Sequence, residues 1–288
     1  MPSLIDLRRR IQSVKNTQQI TKAMKMVSAA KLRRAQQAVV GARPYARLLE
    51  ELLGSVIAAS TVDGERASHR LLEEGDAQCV LLLVLAGEKG LCGSFNSNLF
   101  KETDAFMRRQ EGSEVELELL GRKAVEHYAK RGHPITGRWE RVFVNVDRAT
   151  AQVVADKAIQ RFASGGAGSV WIAYNCFRTI LRQEVTVEQL LPVAPPAPGA
   201  QGGTEHEYEQ PASELLAELL PKRVATRVHV AMLESAAAEH AARMAAMDAA
   251  TRNAGEVLDN LRLHLNKVRQ ASITAEIIEI VSGTAAQE

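Results

Sequence analysis

An α/β protein flanked by two long terminal helices is the fold this chain predicts, and three observations predict it. Apolar and small residues near both ends recur at helical spacing over spans longer than an ordinary helix. Between those ends, strand-like and helix-like segments alternate. The Pro- and Gly-rich stretch Ala194 to Pro211 then separates the alternating region from the last helix. With 288 residues, the chain can bury one sizeable core and still spend residues on elongated elements.

The first helix spans Leu4 to about Val40, a segment without Gly or Pro. Its stripe reads Leu4, Leu7, Ile11, Val14, Thr21, Ser28, Leu32, Ala35 and Val39, in steps of three, four and seven. Ser3 suits the N-cap, and Asp6 suits the positive end of the helix dipole. Gly41 and Pro44 are expected to interrupt it, with Ala46 to Ala59 as a second helical piece.

Five strands and three helices are expected next. Cys79 to Ala86, Val115 to Leu120, Val142 to Val146, Ser169 to Tyr174 and Glu184 to Leu190 read as strands. Asn98 to Gln110, Arg122 to Arg131 and Thr150 to Ala163 read as helices between them. Such alternation favours a mostly parallel sheet covered by helices on both faces.

The last helix is expected from Pro221, which suits a first helical position, to about Val281; only Gly255 interrupts it. Roughly 60 residues at 1.5 Å each give a rod of about 90 Å. Its seam starts small (Ala231, Ser235, Ala238, Ala242, Ala245, Ala249) and then turns large (Leu258, Leu261, Leu265, Val268, Ile278). Heptad spacing implies a left-handed wrap, most simply with the first helix. The domain boundaries expected are 1–60 for the first helix and its continuation, 61–193 for the α/β domain, 194–212 for a loop and 213–288 for the last helix.

Composition narrows the function. The most apolar stretch, Cys79 to Ala86, is too short to cross a bilayer, and the opening Met-Pro-Ser-Leu lacks an export-signal pattern, so the expected compartment is the cytoplasm. Three scattered cysteines, Cys79, Cys92 and Cys176, argue against a disulfide framework, and the seven histidines show no metal-ligand spacing. The net charge of +2 hides an asymmetry: Met1 to Leu49 carries eleven Lys or Arg residues and a single acid, Asp6. That end expects an acidic partner, protein or nucleic acid. Against nucleic acid, Arg8, Arg9 and Arg10 point about 100° apart on a helix and no aromatic lies among the cations for stacking.

The glycine cluster Ala86-Gly87-Glu88-Lys89-Gly90-Leu91-Cys92-Gly93 stands between a strand and a helix, where a nucleotide could bind. Its glycines step by three, G-x-G-x-x-G and G-x-x-x-x-G-K-[ST] are both missing, and a structural or partner-facing turn is the favoured reading. Cys92 is either a thiol activated by the helix start or a small residue packed in a crowded turn, the latter being favoured. His127, His133 and Asp147 have no nucleophile near them in sequence, and Glu73 and Glu74 read as a solvated helix end, so no catalytic constellation emerges.

Four segments, taken in order, carry a family resemblance. Asn16-Thr17-Gln18-Gln19-Ile20-Thr21-Lys22-Ala23-Met24-Lys25-Met26-Val27-Ser28-Ala29 resembles the amino-terminal signature of the F-type ATP synthase γ subunits. Lys89 to Asn96, Glu239 to Met247 and Lys267 to Gly283 resemble its later motifs. The resemblance implies a long antiparallel coiled coil of the N- and C-terminal helices plus a Rossmann-like α/β domain. It implies a bacterial-type central-stalk rotor that performs no catalysis, binds no cofactor, metal or nucleic acid, and works on the cytoplasmic face of the cell membrane. Its partners would be the α and β subunits, the ε subunit and the membrane c-ring, with proton flow through that ring driving ATP synthesis at β.

Residue by residue, the resemblance implies β-subunit contacts at Met24, Cys92, Arg269 and Gln270, with Arg269 offering a guanidinium fork to carboxylates. It implies coupling of the helix pair at Thr274 and Glu276, and a c-ring foot at Tyr208 and Glu209. Ile277, Ile278, Ile280 and Val281 would turn inside a mostly apolar collar. Two departures stand out: Glu88-Lys89 where the family often has Asp-Arg, and Ser94 where a further glycine is common. No cysteine follows Cys176, so the paired-cysteine insertion of the chloroplast type is not expected.

Overall fold

The computed structural model describes residues 4–62, 69–75, 78–110, 112–194 and 210–285. In chain order the elements are α1 (Leu4–Val62), β1 (Cys79–Leu85), α2 (Phe95–Arg109), β2 (Glu114–Leu120) and α3 (Arg122–Tyr128). Then come β3 (Ile135–Trp139), α4 (Arg148–Ala163), β4 (Ser169–Phe177), β5 (Gln183–Leu191) and α5 (Ala212–Ala285). The chain divides into two compact units, residues 29–243 and residues 1–28 with 244–288, and α1 and α5 each contribute to both.

The larger unit is built on a five-stranded sheet in the order β3-β2-β1-β4-β5, parallel except for the antiparallel edge strand β5. Strand β1, Cys-Val-Leu-Leu-Leu-Val-Leu, is central and reads as an unbroken apolar run because both its faces are covered. Val80, Leu82 and Val84 point to the α2–α3 side with Leu99, Phe100, Phe106 and Tyr128. Leu81, Leu83 and Leu85 point the other way, onto α4 and the sheet-side portions of α1 and α5, including Val154, Phe162, Leu53, Leu220 and Val228. Within this unit α1 and α5 run antiparallel, since Arg43 pairs with Glu234 and Glu50 with Arg223.

One expected strand is a turn instead. Val142–Val146 bends beside Arg141, whose φ is +67°, burying Phe143 in the core with Val142 and Val146 packed partly against it. The edge strand is β3, which alternation alone misses because Gly137 and Arg138 interrupt it. Glycine leaves room there: a Cβ at Gly137 would displace the Glu118 carboxylate and the Lys157 ammonium. That carboxylate accepts from Thr136 Oγ1 at 2.7 Å, from Lys157 Nζ at 2.9 Å and from the Trp139 indole, so β3 is fastened to β2 through a side-chain network as well as its ladder.

Helix α1 also runs further than expected, through both Gly41 and Pro44 to Val62. Proline removes one helical hydrogen bond, but Val40, Gly41 and Pro44 all face solvent, so water can meet the released carbonyl. Burial of Val39, Leu49, Leu53 and Val56 on the opposite face continues the stripe across the proline. Pro221 is likewise interior to α5, which starts nine residues earlier at Ala212 because Leu216 and Leu220 seat its first turns in the core.

The smaller unit is a two-helix coil. Leu4, Leu7, Ile11, Val14, Gln18, Thr21 and Ser28 form the inward stripe of α1, and Met247, Thr251, Leu258, Leu261, Leu265 and Val268 that of α5. Polar pairs fix its antiparallel register: Gln18 Nε2 donates to the Thr251 carbonyl at 3.4 Å, Thr251 Oγ1 to Thr21 Oγ1 at 2.9 Å, and Lys25 pairs with Asp248. A polar layer inside an apolar seam costs some stability and specifies one alignment.

Candidate functional site

In an open sheet of this kind a ligand crevice is expected where the strand order reverses, outside the carboxyl ends of β1 and β4. Here that position is filled by α5. Ser235 Oγ donates to the Leu85 carbonyl at 3.3 Å, and the Glu239 carboxylate rests against Gly87, where a Cβ would stand 3.0 Å from it. Arg243 pairs with Glu239 and donates to the carbonyls of Lys89 at 3.2 Å and Gly90 at 3.3 Å. Both charged side chains are buried. Two of the turn's polar groups are bonded within the sheet unit: Gly87 N donates to Asn96 Oδ1 at 2.9 Å, and the Glu88 carboxylate accepts from the backbone N of Arg122 and Phe143. A phosphate placed there would meet the Glu239 carboxylate.

This clamp determines what the turn presents. Cys92 lies inside it, 2 % exposed, accepting from Asn96 Nδ2 at 3.4 Å, and burial pushes its thiol pKa up. Leu91 points out, 64 % exposed, on a backbone with φ of +61°. That left-handed conformation is unfavourable for leucine by about 1–2 kcal/mol, so packing and the Arg243 bonds hold it there. His240, on the same face of α5, has its pKa lowered to about 4 by burial and by the nearby charges of Arg243 and Lys31.

In the coil, Met24 is half-buried beside the seam, whereas Arg269, Gln270, Thr274 and Glu276 are exposed. Thr274 Oγ1 donates to the Gln270 carbonyl at 2.9 Å, a bond local to the helix. Counting along the antiparallel register from Thr21–Thr251 sets Leu4 opposite Val268. From Arg269 onward α5 therefore runs past Leu4, and it exposes Ile273, Ile277, Ile278, Ile280 and Val281. Exposed apolar side chains gathered on one helix end mark a contact surface. Tyr208 and Glu209 lie outside the described residues.

Among the described residues no group of three His, Cys, Asp or Glu side chains is arranged to hold a metal, and no helix is long and apolar enough to cross a membrane. Sequence reasoning missed the clamp of Glu239 and Arg243. The signal was present as an i, i+4 acid–base pair in an alanine-rich stretch, but that pattern also describes an ordinary solvated salt bridge.

A sheet whose crevice is closed by its own helix, and a polar-registered coil with an exposed apolar end, define a scaffold that presents contact surfaces to other proteins. The sequence profile of the family described as ATP synthase matches residues 3–287. The chain is 46% identical over 288 residues to the ATP synthase gamma chain of Solibacter usitatus, covering 100% of both, and 45% identical over 286 residues to that of Geotalea daltonii, covering 98% of each. It therefore belongs to the ATP synthase gamma-chain family.

Among solved structures, the central stalk and c-ring assembly of the Tetrahymena thermophila mitochondrial ATP synthase contains a similar chain. That chain is 27% identical, with a TM-score of 0.60 over 80% of this chain and 99% of that one. A chain of the Euglena gracilis mitochondrial enzyme shares the fold at 18% identity, with a TM-score of 0.66 over 99% of this chain and 94% of that one.

Proposed function

We propose that this chain is the central-stalk rotor of a bacterial F-type ATP synthase. It couples proton flow through a membrane c-ring to ATP synthesis or hydrolysis at catalytic β subunits, and itself performs no chemistry. The observation that carries this reading is the coil whose α5 end runs on past Leu4 with an apolar surface. A helix turning inside a protein sleeve needs a surface without fixed polar bonds, since each such bond would have to break at every step. The basic α1 suits an enclosure with acidic walls. The filled crevice argues against the alternative of a nucleotide-binding enzyme.

In this reading the α and β subunits surround the coil, the ε subunit and c-ring meet the sheet unit, and the complex works at the cytoplasmic face of the membrane. The asymmetric surface of the shaft stabilises a different β conformation at each angle, a population shift imposed mechanically. Arg269 and Gln270, being exposed, are available to an acidic β loop, with Met24, Thr274 and Glu276 on the same coil. At the glycine turn the contact with β is made by Leu91, with Cys92 supporting it from inside.

The test is reconstitution. The purified chain alone should hydrolyse no ATP, and with α and β subunits it should restore a rotating, coupled complex; ATP hydrolysis by the chain alone would contradict the reading. Arg269→Ala should lower turnover of the assembled complex several-fold without changing the melting temperature of the chain, because its side chain is exposed. Unchanged turnover would remove Arg269 from the contact.

A further inference from the structure

Beyond Leu220, the part of α5 that enters the core beside α4 is built mainly from short side chains: Val224, Ala225, Val228, Ala231 and Ala236, with Met232 as its long member. Apolar contact of this kind has no preferred direction, and a face of low relief offers few ridges to lock into the sheet. It keeps a helix on a sheet without fixing the helix's angle about its own axis.

Arg227, at the edge of that face, supplies a direction. Its Nε donates to Glu188 Oε1 of β5 at 2.6 Å and its Nη2 to Glu188 Oε2, while Nη2 also donates to the Tyr174 hydroxyl of β4 at 3.2 Å. The β4–β5 ladder brings those two acceptors together: Glu188 lies opposite Ile172, two positions before Tyr174 and on the same face of the sheet. Acceptors on two strands thus hold one planar guanidinium, and such a fork is directional as well as strong. Partial burial, with the two charged side chains 33% and 24% exposed, reduces its screening by water.

The fork also lies off to one side. Further along α5, Ser235 bonds the Leu85 carbonyl at the end of β1, and β5 stands two places from β1 in the sheet. Two strand spacings of about 4.8 Å put the two anchors roughly 10 Å apart across the sheet. The rise of about 1.5 Å per residue puts them about 12 Å apart along the helix. Bonds at two points so separated oppose rolling of α5. The ion pairs Arg43–Glu234 and Arg223–Glu50 join α5 to α1 instead. We propose that Arg227 is a positioning residue for torque transfer: its fork on Glu188 and Tyr174 fixes the rotational setting of α5 on the sheet. A twist applied to the sheet unit then turns α5 with it. The inference rests on the rotor reading, which requires torque to pass between sheet and helix.

The test uses the chain assembled with surface-fixed α and β subunits and a bead on the sheet unit. With ATP removed, the bead fluctuates about one angle, and its angular variance reports the twisting compliance between bead and ring, to which elements in series add. Arg227→Met combined with Glu188→Met replaces the ion pair by apolar groups, and Arg227→Lys keeps the charge but loses the fork. Each should widen the variance about twofold, because neither retains the directional bonds. The melting temperature of the isolated double variant should fall by no more than about 2 °C, since apolar replacement of a shielded ion pair is commonly neutral or stabilising. Unchanged variance in both variants, with or without a loss of melting temperature, would show that the fork only contributes stability and would overturn the proposal. If the double variant does not fold, Arg227→Lys and Glu188→Gln decide it, and unchanged variance in those two overturns it. Failure of the unmodified chain to rotate when ATP is supplied would overturn the rotor reading, and this inference with it.

Discussion

At the scale of single residues, Leu91 and His240 carry the sharpest consequences, and both depend on Arg243. Leu91 occupies a left-handed backbone that glycine adopts freely. Leu91→Gly should therefore raise the stability of the chain by up to about 1 kcal/mol, net of glycine's greater chain entropy, and lower the coupled turnover of the complex. Thermal melting and reconstituted activity measured on the same variant check this. A variant that is less stable, or that keeps full coupling, would show that the strain serves no contact.

His240 works through pH. Its folded pKa of about 4 lies below its ordinary 6.5, so the unfolded chain binds a proton more readily than the folded one. Its neutral form supports the fold fully above pH 6.5, that support falls as pH drops from 6.5 toward 4, and it levels off below. His240→Gln should flatten the melting-temperature profile across that window; an unchanged slope would point to the other histidines whose pKa burial also lowers, His69, His127 and His229. Neither residue was legible in the sequence. Leu91 and Cys92 are neighbours in one motif, and which of them faces out is decided by Arg243 and Glu239, about 150 positions away.

At the scale of elements, the seam of the coil was legible because it is a repeat: Leu4, Leu7, Ile11 and Val14 answer Leu258, Leu261, Leu265 and Val268 in plain heptad spacing. What spacing could not supply was register, which depends on the polar layer of Gln18, Thr21 and Thr251. Thr251→Val removes the hydroxyl that joins Thr21 to the Met247 carbonyl and should cost about 1 kcal/mol. Hydrogen exchange should show the loss in the coil and leave the sheet protected, whereas uniform loss would contradict a local role.

The errors at this scale share one physical cause, tertiary context overriding a local signal. Pro44 is locally a break signal, but a buried stripe on the opposite face carries α1 through it. Val142–Val146 alternates like a strand and is a turn, while the true strand β3 hides behind Gly137, whose missing side chain leaves room for the Glu118 carboxylate of the neighbouring strand.

At the scale of the whole molecule, the sheet unit resembles a nucleotide-binding domain in its topology and differs from one at the place that matters. The crevice that such sheets leave open holds Ser235, Glu239 and Arg243 of α5, so a fold that elsewhere hosts ligands here anchors a long helix. A helix packed on the sheet and clamped at the carboxyl end of β1 is firmly anchored, which is what a torque-bearing shaft needs.

The central claim is that this chain turns within a ring of catalytic subunits. It is tested most directly by fixing the α and β subunits to a surface, attaching a visible bead to the sheet unit of this chain, and supplying ATP. Stepwise rotation in one direction, ceasing when ATP is removed, is the result this account predicts. ATP hydrolysis by the ring with the bead held at one angle would contradict it.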